Sequence, residues 1–259
     1  MIMDVRIRAA GTGPAVLWIH GYTMDSSLWG DLWDLLPGFR HIGVDLPGHG
    51  ASGPLPAGLT LTALAGEMAR LARAEEARRV VALSFGTIVA LQLAIDAPDA
   101  VQRLVLGAPG IGGRPAEEEG IPERYRQLGL LYRMTGPGEQ MADLWMSSPP
   151  DIFRGTERHP RLRRQIRDVV THHSWAELAN GRLRPLTDHV QDLAALGRIT
   201  ADTLVFIGDE DMPTYHRHAR TVGSAVPRCR LHWLSAAGHL CLLERPAEVA
   251  PVIAAQLAA

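Results

Sequence analysis

Residues 79 to 95, Arg-Val-Val-Ala-Leu-Ser-Phe-Gly-Thr-Ile-Val-Ala-Leu-Gln-Leu-Ala-Ile, constrain this chain more than any other stretch. An apolar run of strand length stops at Ser84, and a helix-like pattern begins at once. Ala82 and Gly86, two positions to either side, are small. A strand that turns sharply into a helix with a serine at the turn needs small neighbours there, and it lifts the serine hydroxyl clear of the backbone. Ser84 is therefore read as a catalytic nucleophile, and the remaining sequence is tested against that reading.

A serine hydroxyl is a weak nucleophile at neutral pH. It needs a base, and the base needs a carboxylate to orient it. With the nucleophile on a strand-to-helix turn of this kind, these partners are expected at the carboxyl ends of later strands, in the order serine, acid, histidine. Thr203–Ile207 reads as a strand and runs into Gly208-Asp209-Glu210-Asp211. Arg230–Leu234 reads as another and runs into Gly238-His239. Asp211 is taken as the orienting acid over Asp209 and Glu210, because it lies deepest in its loop, beside Met212-Pro213. The loop at 107–110 contains no acid. A tetrahedral intermediate also needs two aimed amide donors. Phe85 N–H directly follows the nucleophile, and Tyr22 N–H lies in the loop after the apolar run Ala15–Ile19.

Taken in order, the chain alternates strands and helices. Residues 4–8 alternate like a half-exposed strand, Ala15–Ile19 is a buried strand, and Leu28–Leu36 is amphipathic with Ser27 as its N-cap. His41–Leu46 is a strand that leads into a loop over 45–52. Thr60 is read as the cap of a helix over 61–76 with Leu61, Leu64, Met68, Leu71 and Ala72 on one stripe. Val80–Leu83, Leu104–Leu106, Thr203–Ile207 and Arg230–Leu234 complete the strands, and helices are predicted over 215–226 and 246–257. This pattern specifies an α/β fold with a mostly parallel sheet covered by helices on both faces. From Ile111 to about residue 199 no strong strand occurs. That stretch reads as a helical cap inserted into a core made of 1–110 and 200–259.

Composition removes several alternatives. All 26 basic residues are arginine, so Schiff-base chemistry and a lysine-bearing phosphate loop are excluded. A net charge of −2 gives no field for nucleic acid or an anionic membrane. The arginines at 158, 161, 163, 164 and 167 read as a solvated helix face. Cys229 and Cys241 lack metal spacing and read as free thiols of a reducing compartment. No signal peptide is visible and no run of about 18 apolar residues occurs, so a cytoplasmic, membrane-free protein is expected. His172-His173 are adjacent, a spacing that does not suit helical metal ligands, and no metal or cofactor is expected.

The set His20-Gly21, Asp45-x-Pro47-Gly48-His49-Gly50-x-Ser52, Ser84-x-Gly86, Gly208-x-x-Asp211 and Gly238-His239 resembles the α/β-hydrolase superfamily. The likeness covers nearly all of the chain outside the helical stretch, and is nearest the small esterase and enol-lactonase-like branch with a helical lid. It implies that His20-Gly21 shapes the oxyanion loop, that the 45–52 loop braces the site, and that His49 is structural. The sequence departs from the usual elbow at Ala82, Leu83 and Thr87, which bears on substrate class more than on catalysis. A serine nucleophile also sets the chain apart from haloalkane dehalogenases and epoxide hydrolases, which use aspartate there.

The expected activity is hydrolysis of a small carboxylic ester or lactone by a Ser84–Asp211–His239 triad through an acyl-enzyme. Activity should rise with pH as the base histidine becomes neutral. Thioester cleavage, carbon–carbon bond hydrolysis and lyase chemistry use the same triad and remain open, as does a non-enzymatic small-molecule receptor. The substrate pocket is expected from Tyr22, Leu128, Tyr132, Trp145, Met146, Phe153, Trp175, Met212 and Leu240, with Leu131 and Met134 as further apolar candidates of the cap. Partners are a small ester, lactone or thioester, and the sequence leaves oligomeric state open.

Overall fold

The computed structural model describes residues 3–114 and 120–258. Met1 and Ile2, read with the N-terminal segment, and residues 115–119 of the expected cap lie outside the described residues. In chain order the elements are β1 (Arg6–Ala10), β2 (Ala15–Ile19), α1 (Gly30–Trp33), β3 (Arg40–Asp45), α2 (Leu61–Ala74), β4 (Arg79–Leu83), α3 (Phe85–Asp96) and β5 (Arg103–Gly107). A helical stretch follows: α4 (Ile121–Thr135), α5 (Glu139–Trp145), α6 (Pro160–His172), α7 (Ala176–Asn180), α8 (Arg184–Thr187) and α9 (Leu193–Leu196). Then come β6 (Asp202–Gly208), α10 (Pro213–Ala225), β7 (Cys229–Leu234), α11 (Cys241–Glu244) and α12 (Pro246–Ala258).

The strands form one sheet of seven in the order β1-β3-β2-β4-β5-β6-β7. Among the described residues only β1 is antiparallel, pairing with β3 from Arg6↔Asp45 to Ala10↔His41. Every residue of β2 is buried, as are all but the first of β4 and β5. Such strands need helices on both faces. α3 lies against β2, β4 and β5 beside α2, while α12 packs on β5 and carries α1. The strand order reverses around β2, which is flanked by β3 and β4. Loops after β2 and β4 therefore leave the sheet side by side at a topological switch point, where open α/β sheets bind ligands.

Local sequence explains some of the element ends. Thr60 Oγ1 accepts from Ala63 N at 3.1 Å and starts α2. The predicted stripe of α2, Leu61, Leu64, Met68, Leu71 and Ala72, is buried. The cap before α1 differs from expectation. Asp25, not Ser27, caps a short 3-10 turn over Ser26–Trp29, its carboxylate accepting from Ser27 N at 2.8 Å. A carboxylate is the stronger acceptor there, and Ser27 becomes a donor to it.

Of the arginines from 158 to 167, Arg158, Arg161 and Arg164 are exposed, as a solvated face requires, but all except Arg164 also hold partners among the described residues. Arg158 binds Glu210 and the Ala236 carbonyl, and Arg161 reaches Asp31 at 3.1 Å. Arg163 donates to the carbonyls of Phe153 (3.1 Å) and Met146 (3.2 Å), and Arg167 to Asp143. Planar guanidinium groups bind several acceptors at once, so these arginines pin α6 to its neighbours and to the core. Both cysteines are free thiols. Among the described residues no helix is long and apolar enough to cross a membrane.

Candidate active site

β4 delivers Ser84 at φ +52°, a left-handed conformation unusual for a residue with a side chain. The turn closes because Gly86 has no Cβ. A methyl group there would lie 2.5 Å from the carbonyl oxygens of both Ile19 and His20. Thr87, one of the departures from the usual elbow, clamps the turn. Its hydroxyl donates to Ser84 O and accepts from Gly110 N at 2.8 Å, tying the elbow to the loop after β5.

Asp211 and His239 arrive from the loops after β6 and β7. Ser84 Oγ lies 2.7 Å from His239 Nε2. His239 Nδ1 lies 3.0 and 3.1 Å from the two carboxylate oxygens of Asp211. The nitrogen facing the carboxylate carries the proton, which leaves Nε2 as the acceptor for the serine hydroxyl. Asp211 is buried, whereas Asp209 and Glu210 are exposed and Glu210 is taken by Arg158. The Tyr215 ring packs against the imidazole, tilted at 56° with ring centroids 4.1 Å apart. Its loop is held by Glu244, which accepts from Gly238 N at 2.7 Å and Leu240 N at 3.1 Å. Burial raises the Glu244 carboxyl above its ordinary range despite these two amides.

The loop after β2 lies against the serine. A Cβ on Gly21 would sit 3.3 Å from Ser84 Cβ. Tyr22 and Phe85 rings meet edge-on at 6.4 Å. Among the described residues, neither the Tyr22 nor the Phe85 amide takes part in a loop, turn or cap hydrogen bond, while the neighbouring Ser84 N and Met24 N do. His20 and His49 do not join this chain of groups. His20 donates from Nδ1 to Gly21 O (2.8 Å) and accepts at Nε2 from Leu46 N (3.0 Å), linking the loops after β2 and β3. His49 donates to Pro47 O at 3.1 Å. Burial holds His20 below the usual imidazole range and His49 well below it. Asp45 accepts from Ser26 N (2.8 Å) and Ala51 N (2.9 Å), which shapes the 45–52 loop.

Ser84 opens into a cavity of about 570 Å³ with mostly apolar walls. Of the expected pocket residues, Tyr22, Trp145 and Leu240 line it. Leu128, Tyr132, Met146, Phe153, Trp175 and Met212 do not. Leu128 is buried where α4 meets α5 and α7, and Tyr132 sits two turns past Tyr125, one of the α4 residues that line the cavity. Phe153 packs edge-on behind Trp145, and Trp175 fills the space behind Tyr22. Met146 faces Arg163 through its carbonyl, and Met212 N is bound by Asp211 at 2.7 Å. Leu131 only half-buries and Met134 is 82% exposed. Periodicity marks which side chains are buried, not which of them border a cavity. Ile121, Tyr125, Ile152, Glu177, Leu183 and Tyr215 are among the lining residues it missed.

Among the described residues no group of three or more His, Cys, Asp or Glu is arranged to hold a metal ion. His172 and His173 diverge: the first is exposed beside Asp168, the second buried against Glu177. A second cleft of about 410 Å³, between Arg8, Asp31 and Gln165, contains none of the predicted residues.

A model of the alpha/beta hydrolase family matches residues 16–252. The chain belongs to the alpha/beta hydrolase family. Its similarity to individual members is partial in sequence and extensive in shape. It is 38% identical over 117 residues to a pimeloyl-[acyl-carrier protein] methyl ester esterase of Methylococcus capsulatus, covering 44% of each chain. It spans 34% and 44% of the length of the first two curated relatives it matches. Its structure is similar to a thermophilic esterase from Thermogutta terrifontis, with a TM-score of 0.81, 26% identity, and 99% and 93% of the two chains covered. The enol-lactonase from Burkholderia xenovorans LB400 superposes with a TM-score of 0.79 at 22% identity, covering 99% and 97%, a likeness of fold alone. An alpha/beta hydrolase with this sheet and this switch point is a hydrolytic scaffold, and its chemistry is decided by the groups around Ser84.

Proposed function

We propose that the chain is a serine hydrolase acting on a small carboxylic ester or lactone. The observation that carries this reading is the Ser84 hydroxyl, held in a left-handed turn 2.7 Å from His239 Nε2 at the floor of the cavity. Ser84 Oγ attacks the substrate carbonyl while His239 Nε2 takes its proton. Asp211 holds the imidazole tautomer and balances its charge. The carbonyl oxygen becomes an oxyanion at the Tyr22 and Phe85 amides. Collapse expels the alcohol, which receives the proton from His239, and leaves an acyl-enzyme. Water, deprotonated by His239, then adds to the acyl carbon, and the acid departs as Ser84 regains its proton.

The helical stretch between β5 and β6 acts as a cap that closes over the acyl and alcohol groups. Support for an ester comes from the esterases among the relatives and from the apolar cavity, which suits an acyl chain. Lactones share the same carbonyl chemistry. Ser84→Ala should keep the fold and lower kcat/KM on a p-nitrophenyl ester by about 10⁴-fold or more. Undiminished turnover in that variant removes the assignment. A panel of aryl esters, lactones and acyl thioesters ranks the substrates. Slow or absent turnover with no fluorophosphonate adduct on Ser84 would favour a receptor instead.

A further inference from the structure

The dipeptide Tyr22-Thr23 is held from two directions by the helical stretch. Thr23 sits at φ +61°, which a β-branched residue adopts only when its surroundings over-determine it. Its hydroxyl donates to Tyr22 O at 2.7 Å and accepts from the indole Nε1–H of Trp145, at the end of α5, at 2.9 Å. That fixes the backbone side. On the other side the Tyr22 phenol donates to Glu177 Oε1, on α7, at 2.5 Å. The same oxygen accepts from His173 Nε2, just past α6, at 3.0 Å. Rings of His49, Phe85, Tyr125, Trp145, His173 and Trp175 surround Tyr22 at centroid distances of 5.7 to 6.4 Å.

A carboxylate in such a place is costly unless it serves as an anchor. The Glu177 side chain is 5% exposed and that of His173 is 2% exposed. Burial pushes the Glu177 carboxyl up, but the bonds from His173 and Tyr22 outweigh it and hold it below the usual carboxylate range. Burial and the adjoining carboxylate push the Tyr22 phenol well above its ordinary value. Glu177 thus stays an acceptor and Tyr22 a donor over the working pH range, and a charge-assisted bond of this kind is stronger than a neutral one. A packed aromatic needs no such partner to remain buried. A phenol in a fixed position does.

We propose that Glu177 and Trp145 are positioning residues that aim the Tyr22 amide at the developing oxyanion, so that the cap completes the oxyanion site as well as covering it. The inference rests on the serine-hydrolase reading above. Oxyanion donors work only within a few tenths of an ångström of their aim, and an error of about 1 Å costs about 100-fold. The loop after β2 carries a strained residue and has no regular structure of its own, so it relaxes when either tie is cut. The loss then falls on the transition state and spares substrate binding.

The experiment compares wild type with Tyr22→Phe, Glu177→Leu, Glu177→Gln, Trp145→Phe and the Tyr22→Phe/Glu177→Leu double variant. Kinetics use p-nitrophenyl butyrate, and an alkyl trifluoromethyl ketone serves as the transition-state analogue. Tyr22→Phe and Glu177→Leu should each lower kcat by about 10–100-fold with KM within about threefold. The affinity for the ketone should fall by the same factor as kcat/KM. The double variant should be no worse than either single change, because both cut one bond. Trp145→Phe should lower kcat in the same way. Glu177→Gln, whose amide oxygen still accepts from the phenol, should recover most of the rate. Tyr22→Phe deletes one oxygen atom and leaves the cavity wall intact, so it decides the matter if a Glu177 variant fails to fold. Unchanged kcat in Tyr22→Phe, a loss confined to KM, or multiplicative effects in the double variant would overturn the proposal. Wild type with no Ser84-dependent turnover would instead remove the hydrolase reading beneath it, while an active wild type matched by Tyr22→Phe removes the positioning role alone.

Discussion

Gly86 has no room for a methyl group, and that makes the turn at Ser84 an unforgiving position. Gly86→Ala would push against two carbonyl oxygens of the loop after β2 at once, those of Ile19 and His20. We expect it to cost about 3 kcal/mol of stability, read by urea denaturation, and to reduce turnover as well. A stable, active Gly86→Ala variant would show that the turn relaxes without consequence. At this scale the sequence was most legible. A serine between small residues, an acid after one strand and a histidine after the next depend on local backbone needs that each leave a trace in residue type. The choice of Asp211 over Asp209 rested on depth in the loop, and depth tracks the burial that separates them. Glu244, Glu177 and Tyr215 left no such trace. Their importance comes from what they meet across the fold, and nothing in their neighbours in sequence announces it.

Within the helical stretch, arginine forks tie the elements to one another alongside the apolar packing of the core. α6 shows this clearly. Arg163 reaches two carbonyl oxygens and the Thr156 hydroxyl, whereas Arg164 has no such partner among the described residues and is exposed. Arg163→Met should therefore destabilise by about 1–3 kcal/mol, because it strands carbonyl acceptors in a half-buried place. Arg164→Met should change stability by less than about 0.5 kcal/mol. Equal effects in thermal unfolding would contradict the assignment. Strand and helix positions in the core were readable because apolar runs, turns and caps are local signals. The helical stretch was readable only as helical. Apart from α4 and α6 its helices are short, and its charged residues point both into and out of the packing, so spacing does not tell which side chains face Ser84.

For the whole molecule, three buried neutral imidazoles, His20, His41 and His49, link stability to pH. All have folded values held below the ordinary 6.5 by burial, His49 also by the nearby His173 and His20. The unfolded chain then takes up protons that the folded one refuses. Their contribution is fully present above about 6.5 and is lost as pH falls below it. Wild type should thus lose stability between pH 7 and pH 5.5, and His49→Gln should flatten that slope. Glu244 acts in the opposite sense, since its raised carboxyl favours the folded state at acid pH, so the comparison between the two proteins is the informative quantity. Identical slopes would exclude His49 as a contributor. The closed arrangement of sheet, loops and cap was only partly foreseeable, because switch points and cavities are products of topology. One further consequence lies at the rim of the sheet. Among the described residues β1 is its only antiparallel member, and all five residues of β1 are exposed. A second molecule that tried to extend the sheet there in antiparallel fashion would set Arg6 and Arg8 against their own kind, and like charges facing each other across strands repel. This border of the sheet thus carries its own deterrent against growth into fibrous aggregates.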